Sequence, residues 1–167
     1  MLRILVFSDT HRYLGNLERA LKSAGHIDFA IELGDYCGQD EEIRCLVGVP
    51  CAFVRGNCDG FDRTYESDNL ADYDGIKIFM THGHRYWGAN PKLIAEAAKG
   101  KGADIAFFGH THVPFEDKIN GVDIFNPGSI SNPRQADGYP TYGILTIEDN
   151  LGSNGKKKYR FEIFRVE

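Results

Sequence analysis

The chain opens on Leu2-Arg3-Ile4-Leu5-Val6-Phe7, apolar except at Arg3. A short apolar run without polar alternation suits a parallel strand covered on both faces. Leu14, Leu17, Leu21 and Ala24 follow at helical spacing, with Asn16 offered as the N-cap. Phe29 to Leu33 reads as a second strand, Asp40 to Leu46 as a helix with an acidic first turn, and Ala52 to Val54 as a third strand. Ile76 to Met80 is a fourth strand. The segment Pro91 to Lys99 carries strong helix punctuation: Asn90 at the cap, Pro91 at the first position and Gly100 just past the end. Ile105 to Phe108 is a fifth strand.

After His112 the pattern changes from strand–helix alternation to paired strands. Val113 to Ile119 and Val122 to Phe125 flank Asn120-Gly121, a strong hairpin signal. Thr141 to Ile147 and Tyr159 to Val166 flank a polar turn region, Asp149 to Lys158, whose three lysines read as a solvated hairpin tip. The first two thirds are therefore βαβα and the last third antiparallel β. The expected class is α/β: a sandwich in which a mixed sheet is joined by an antiparallel one. The 167 residues are read as one domain, large enough for a sizeable core.

Composition narrows the options. With 42% apolar and 26% charged residues, the chain has the balance of a soluble globular protein. Its apolar runs are too short for a membrane helix. The N-terminal run meets Asp9 at once and has no cleavage site, so it reads as a buried strand of a cytoplasmic protein. Cys37, Cys45, Cys51 and Cys58 form no CxxC pair, which points to free thiols and against a structural zinc knot. A net charge of −5 argues against extended nucleic acid as partner, yet leaves room for a small phosphorylated substrate at bound cations.

The chemistry lies at the strand ends. Asp9 and His11 follow the first strand, Asp35 the second, Asn57 the third, His82 and His84 the fourth, and His110 and His112 the fifth. Ligands of open α/β sheets bind outside the carboxyl ends of the strands, so parallel neighbours would bring these groups together. Each motif alone is an ordinary turn or a satisfied histidine. Together they hold five of the six histidines, His26 being the exception. Imidazole and carboxylate without thiolate suit manganese, iron, zinc, cobalt or nickel. Seven ligands (Asp9, His11, Asp35, Asn57, His82, His110 and His112) are too many for one ion and suit two sharing a carboxylate.

The ordered set Asp9-x-His11, Gly34-Asp35, Gly56-Asn57, His82 and Gly109-His110-x-His112 resembles the calcineurin-like metallophosphoesterases, from residue 2 to about 147. Short length, Gly-Asn-Cys-Asp, Thr-His-Gly-His and Asn126-Pro127-Gly128-Ser129 are similar to the small YfcE-like phosphodiesterases and to the retromer subunit built on the same fold. The resemblance implies a four-layer αββα sandwich of two facing mixed sheets flanked by helices. It also implies one metal on Asp9, His11 and His112, a second on Asn57, His82 and His110, and Asp35 bridging them, with manganese the favoured ion. Relatives with Gly-Asn-His use that histidine as general acid or transition-state stabiliser. Here Cys58 stands in its place, leaving His84 as catalytic substitute or as an orienting partner.

The expected activity is phosphodiester hydrolysis of a small or nucleotide substrate by a metal-bridged hydroxide, with Asn57 holding phosphoryl oxygens. The rival from another class is a non-catalytic protein-binding scaffold like the retromer subunit, which lacks the histidine of the first motif; His11 favours the enzyme. Arg134 is open between reaching the substrate phosphate and being a plain exposed surface arginine, and the second reading is preferred. Tyr65, Tyr86 and Trp87 are open between stacking on a base and filling the core.

Overall fold

The computed structural model describes residues 1–152 and 155–167. Two five-stranded sheets face each other. The first runs β10-β9-β1-β2-β3 and the second β4-β5-β6-β8-β7. In the first, β1 (Leu2–Phe7), β2 (Phe29–Glu32) and β3 (Cys51–Phe53) are parallel. In the second, β5 (Ile76–Thr81), β6 (Ile105–Phe107) and β8 (Val122–Asn126) are parallel. Helices α1 (Gly15–Ala24) and α2 (Asp40–Val47) cover the outer face of the first sheet, and α3 (Pro91–Gly100) that of the second. This is the αββα sandwich the resemblance implies.

The apolar run Ile4-Leu5-Val6-Phe7 of β1 now has its reason. Ile4 and Val6 point between the sheets, against Ile78, Met80, Ile105 and Phe107. Leu5 and Phe7 point the other way, against Leu17 and Ala20 of α1. Each strand of the centre is buried on both faces, so alternation gives way to continuous apolarity. Phe79, Ala106 and Phe108 likewise meet Ile94, Ala95 and Ala98 of α3.

Among the described residues the strand pattern's antiparallel last third forms no sheet of its own, and both sheets are mixed, as the resemblance implies. A parallel pair leaves a bare edge whose N–H and C=O groups need partners. The hairpin of β7 (Phe115–Ile119) and β8 closes the edge of β6, with β8 parallel to it. The hairpin of β9 (Thr141–Leu151) and β10 (Lys157–Arg165) closes the edge of β1. Both sheets are thus mixed. The Asn120-Gly121 turn is as expected: φ is 55° and 85°, and Ile119 faces Val122. Of the turn region Asp149 to Lys158, residues 153 and 154 lie outside the described residues. Its lysines are less free than a solvated tip implies, since Lys156 pairs with Asp104 and Lys157 with Asp74, on the other sheet.

Three smaller corrections concern ends and edges. Asn16 does not cap α1, whose cap position is Leu14; it is buried in the first turn and donates to the Ile130 carbonyl at 2.8 Å. Gly100 is the last residue of α3 and not the residue beyond it, although Asn90 does cap the helix by accepting from the Lys92 N–H. Strand β4 (Asp68–Tyr73) was not expected, because an edge strand reading Asp-Asn-Leu-Ala-Asp-Tyr shows little apolar signal.

Candidate metal centre

Five loops meet where the carboxyl ends of the parallel strands face one another across the sandwich. The expected convergence is therefore between two sheets and not along one. Main-chain bonds lace the loops together: Asp9 N–H to the Gly34 carbonyl, His11 N–H to Asp35, and Gly109 N–H to His82, each at 3.1 Å. Backbones this close leave no room for a side chain at the crossings. A Cβ on Gly56 would lie 2.1 Å from Asp35 Oδ1, and one on Gly109 would lie 2.0 Å from Ser8 Oγ. Gly56 has φ of −89°, so close approach, not a special backbone angle, demands glycine there.

The strain is concentrated on the expected ligands. Asp9, His11, Asp35, His110 and His112 have φ of 58°, 44°, 63°, 66° and 60°. Left-handed angles are uncommon outside glycine and cost of order 1–3 kcal/mol each, a cost that gathers at functional sites.

Asp9 is fully buried and its two oxygens are used differently. Oδ2 accepts from Ser8 Oγ at 2.6 Å and from His110 N–H at 3.2 Å. Oδ1 has no hydrogen-bond partner among the described residues. It faces Nε2 of His112 at 3.1 Å, of His11 at 3.7 Å and of His82 at 3.9 Å. Asp35 mirrors this arrangement. Its Oδ1 accepts from Cys58 N–H at 2.8 Å, and its Oδ2 lies 3.4 Å from His82 Nε2 and 3.8 Å from His11 Nε2. Asn57 Oδ1 is 3.2 Å from His82 Nε2.

The imidazoles are oriented from behind. His82 Nδ1 lies 2.7 Å from the Leu33 carbonyl and His112 Nδ1 lies 2.5 Å from that of Asn132. A carbonyl only accepts, so each Nδ1 carries a proton and each Nε2 faces inward, the orientation of metal-ligating histidines. The donor atoms of Asp9, His11 and His112 lie within 4.8 Å of one another, and so do those of Asp9, Asp35 and His82. Asp9 belongs to both groups, and Asp35, to which the resemblance gives the shared place, reaches both His11 and His82 from the other side. The His110 ring stands beside His82, its centroid 5.2 Å away.

The electrostatics call for a cation. Burial opposes charge on Asp35, but His82 and the Cys58 N–H hold its carboxyl well below the usual range. Burial likewise works to discharge His82, and the hydrogen bond to Asp35 with the charges of Asp9 and Asp35 raises it nonetheless. Two buried carboxylates and inward-turned imidazoles fit divalent transition metal ions, and the orphaned Asp9 Oδ1 is the atom such an ion would satisfy. His84, in contrast, is shifted down by burial and by the neighbouring His82 and His110. The Cys58 thiol is pushed up to about 12 by burial and by Asp35, which disarms it as a nucleophile.

Three positioning residues had no role in the sequence reading. Asp59 accepts the N–H groups of Asp35 and Cys37 at 2.7 Å and of Gly56 at 2.8 Å, joining the second ligand loop to the third. Ser129 Oγ donates to the Asp9 carbonyl at 3.0 Å, and Asn126 Nδ2 donates to that of Gly109 at 2.8 Å. The Asn-Pro-Gly-Ser turn thus braces two ligand loops from behind. Only the quoted Gly-Asn-Cys-Asp and Asn-Pro-Gly-Ser strings could have flagged them.

The remaining candidates separate. Tyr65 stacks on Phe53 and donates to Asp40, and Tyr86 donates to Asp68, so both are structural. Trp87 is 90% exposed. Arg134 is exposed, and its N–H bonds the His112 carbonyl. His26 pairs with Asp28 on the surface. The thiols are free. A cavity of about 440 Å³ opens beside Asn57 and His84.

Comparison with known proteins agrees with the geometry. The model of the calcineurin-like phosphoesterase superfamily domain matches residues 2–150, and the chain belongs to that family. It is 34% identical to a probable metallophosphoesterase of Bacillus subtilis, YsnB, over 91% of this chain and 88% of that one. It is 28% identical to a Methanocaldococcus jannaschii phosphodiesterase, MJ0936, over 95% of this chain and 97% of that one. The fold is shared with Vps29 of Chaetomium thermophilum, at a TM-score of 0.76 and 16% identity, over 99% of this chain and 96% of that one. No helix among the described residues is long and apolar enough to cross a membrane.

Proposed function

We propose that this chain is a metal-dependent phosphodiesterase acting on small phosphodiesters, nucleotides among them. The observation that carries the reading is Asp9 Oδ1: a fully buried carboxylate oxygen without a hydrogen bond, ringed by three imidazole Nε2 atoms. Asp9, His11 and His112 would hold one divalent ion and Asn57, His82 and His110 another, with Asp35 between them. Manganese is the first choice. Such ions supply Lewis-acid activation of water and neutralise charge on the phosphoryl oxygens.

The chain's own groups do the rest. Asn57 is exposed toward the cavity and holds a non-bridging oxygen. His84, lowered and therefore neutral at neutral pH, donates an N–H hydrogen bond to an oxygen of the substrate, while solvent supplies the proton to the leaving group. Cys58, with its proton firmly held, takes no part in bond making. Without a strong acid, esters with good leaving groups react best, aryl esters ahead of alkyl ones. The phosphodiesterase name of the M. jannaschii relative favours the diester reading.

The test compares bis-p-nitrophenyl phosphate with p-nitrophenyl phosphate, using chelator-stripped protein with Mn²⁺ added back and Asp35→Asn as control. Diester cleavage that needs metal and vanishes in the control is expected. No cleavage with any of several metals, in folded protein, would replace this reading with the scaffold.

A further inference from the structure

The cavity beside the metal centre is built for anions. Its walls carry Arg55, Arg63 and Arg85 with Ser67, and it shares Asn57 and His84 with the ligand cluster. None of its lining residues is acidic. Among the described residues, ion pairs engage Arg160 and Arg165 of β10 but none of these three arginines. Arg55 is fixed by donating to the Asp62 carbonyl at 2.8 Å and to Ser67 Oγ at 3.3 Å. Arg63 and Arg85 are exposed. In a chain of net charge −5, two exposed guanidinium groups and a third held only by neutral oxygens, gathered around one concavity, are a local reversal of sign.

One phosphodiester at the metal ions does not account for this. It carries a single negative charge, which the ions and Asn57 already meet. A volume of about 440 Å³ also exceeds the need of one phosphoryl group and falls in the range of small-molecule sites. Guanidinium forks match phosphate oxygens two by two, and a cluster of them is the usual answer to a further phosphate.

We propose that the cavity is a second phosphate subsite, and that the substrate is a polyphosphorylated nucleotide: a phosphoryl group beyond the scissile one sits among Arg55, Arg63 and Arg85. The inference rests on the phosphodiesterase reading for its catalytic consequence, but not for binding itself.

Two readouts separate the two. The first is competitive inhibition of bis-p-nitrophenyl phosphate hydrolysis at fixed excess Mn²⁺ by AMP, ADP and adenosine 3′,5′-bisphosphate. The second is calorimetric binding of the same three nucleotides to chelator-stripped protein. At least one of the two bisphosphorylated nucleotides should bind about tenfold or more tighter than AMP in both assays, the gain of one charge-assisted contact. ADP and the 3′,5′-bisphosphate distinguish an adjacent from a separated second phosphate. In Arg63→Gln/Arg85→Gln the preference should collapse to within about twofold. Arg160→Gln/Arg165→Gln, which removes equal charge from β10, should keep it. Equal binding of all three nucleotides by the wild type, or a preference that survives in Arg63→Gln/Arg85→Gln, would overturn the proposal. If no metal supports hydrolysis, the phosphodiesterase reading fails, and calorimetry still decides the subsite.

Discussion

Asp59 offers the sharpest test of how the centre is held. Alanine there removes the acceptor of three main-chain N–H groups, from Asp35, Cys37 and Gly56. Asp35 and Gly56 are buried and can find no water; Cys37 is half-buried and can in part. A buried donor left unpaired costs about 1–3 kcal/mol. Two full losses and one partial loss give about 3–5 kcal/mol, reduced by release of a buried carboxyl that burial itself pushes upward. That is a large share of the roughly 5–15 kcal/mol that holds a domain together. Asparagine should fall between. Its oxygen can replace Oδ2, which serves Asp35 and Gly56, while its NH₂ then meets the Cys37 N–H donor to donor. Because Asp35 hangs on this bond, Mn²⁺ affinity should fall by more than about tenfold in Asp59→Ala, the effect expected of a lost outer partner. The measurement is urea unfolding of chelator-stripped protein followed by circular dichroism, since Trp87 is exposed already and its fluorescence would report little. A loss below about 1 kcal/mol in Asp59→Ala, or an asparagine variant as damaged as the alanine one, would refute the reasoning.

Gly56→Ala should abolish metal binding, and cost about 1–3 kcal/mol by overpacking, although its φ suits alanine; calorimetry with Mn²⁺ checks it. His84→Ala should lower kcat for bis-p-nitrophenyl phosphate about 10- to 100-fold, the worth of one strong transition-state hydrogen bond, with glutamine restoring part of it. Equal rates in wild type and alanine variant would remove His84 from the reaction. Glu32 is fully buried; burial, then the Asp59, Asp9 and Asp35 charges, raise it well above its ordinary 4.5. The folded chain therefore keeps a proton that the unfolded chain releases. The stability this contributes is complete below about 4.5 and is lost as pH rises through the raised value, at about 1.4 kcal/mol per pH unit. Glu32→Gln should flatten that slope in denaturant midpoints of metal-free protein; an unchanged slope would assign the effect elsewhere.

The candidate centre was legible in the sequence because its Asp, Asn and His residues sit at fixed offsets after apolar runs. Asp9 and His11 after β1, or His110 and His112 after β6, need no tertiary knowledge to be found. The same runs yielded the central strands, since burial on both faces writes itself as continuous apolarity. What escaped detection depends on partners distant in the chain. Strand β4 is an edge whose pairing with β5 fixes it more than its own residues do. The placement of β8 beside β6 follows from an open edge that local pattern cannot express. Asp59 looks like any turn aspartate until the N–H groups of Asp35 and Cys37, from the preceding ligand loop, are seen to point at it, and Ser129 until the Asp9 carbonyl is. The sharing of Asp9 between both donor groups follows from two sheets meeting end to end, which puts His82 within reach of the first loop. The arginines of the cavity carry no spacing signal at all, because Arg55, Arg63 and Arg85 are drawn together only when the third and fourth ligand loops face each other. The candidate ligands follow strand ends and so show in the local pattern, whereas the residues that line the cavity need only share a hollow.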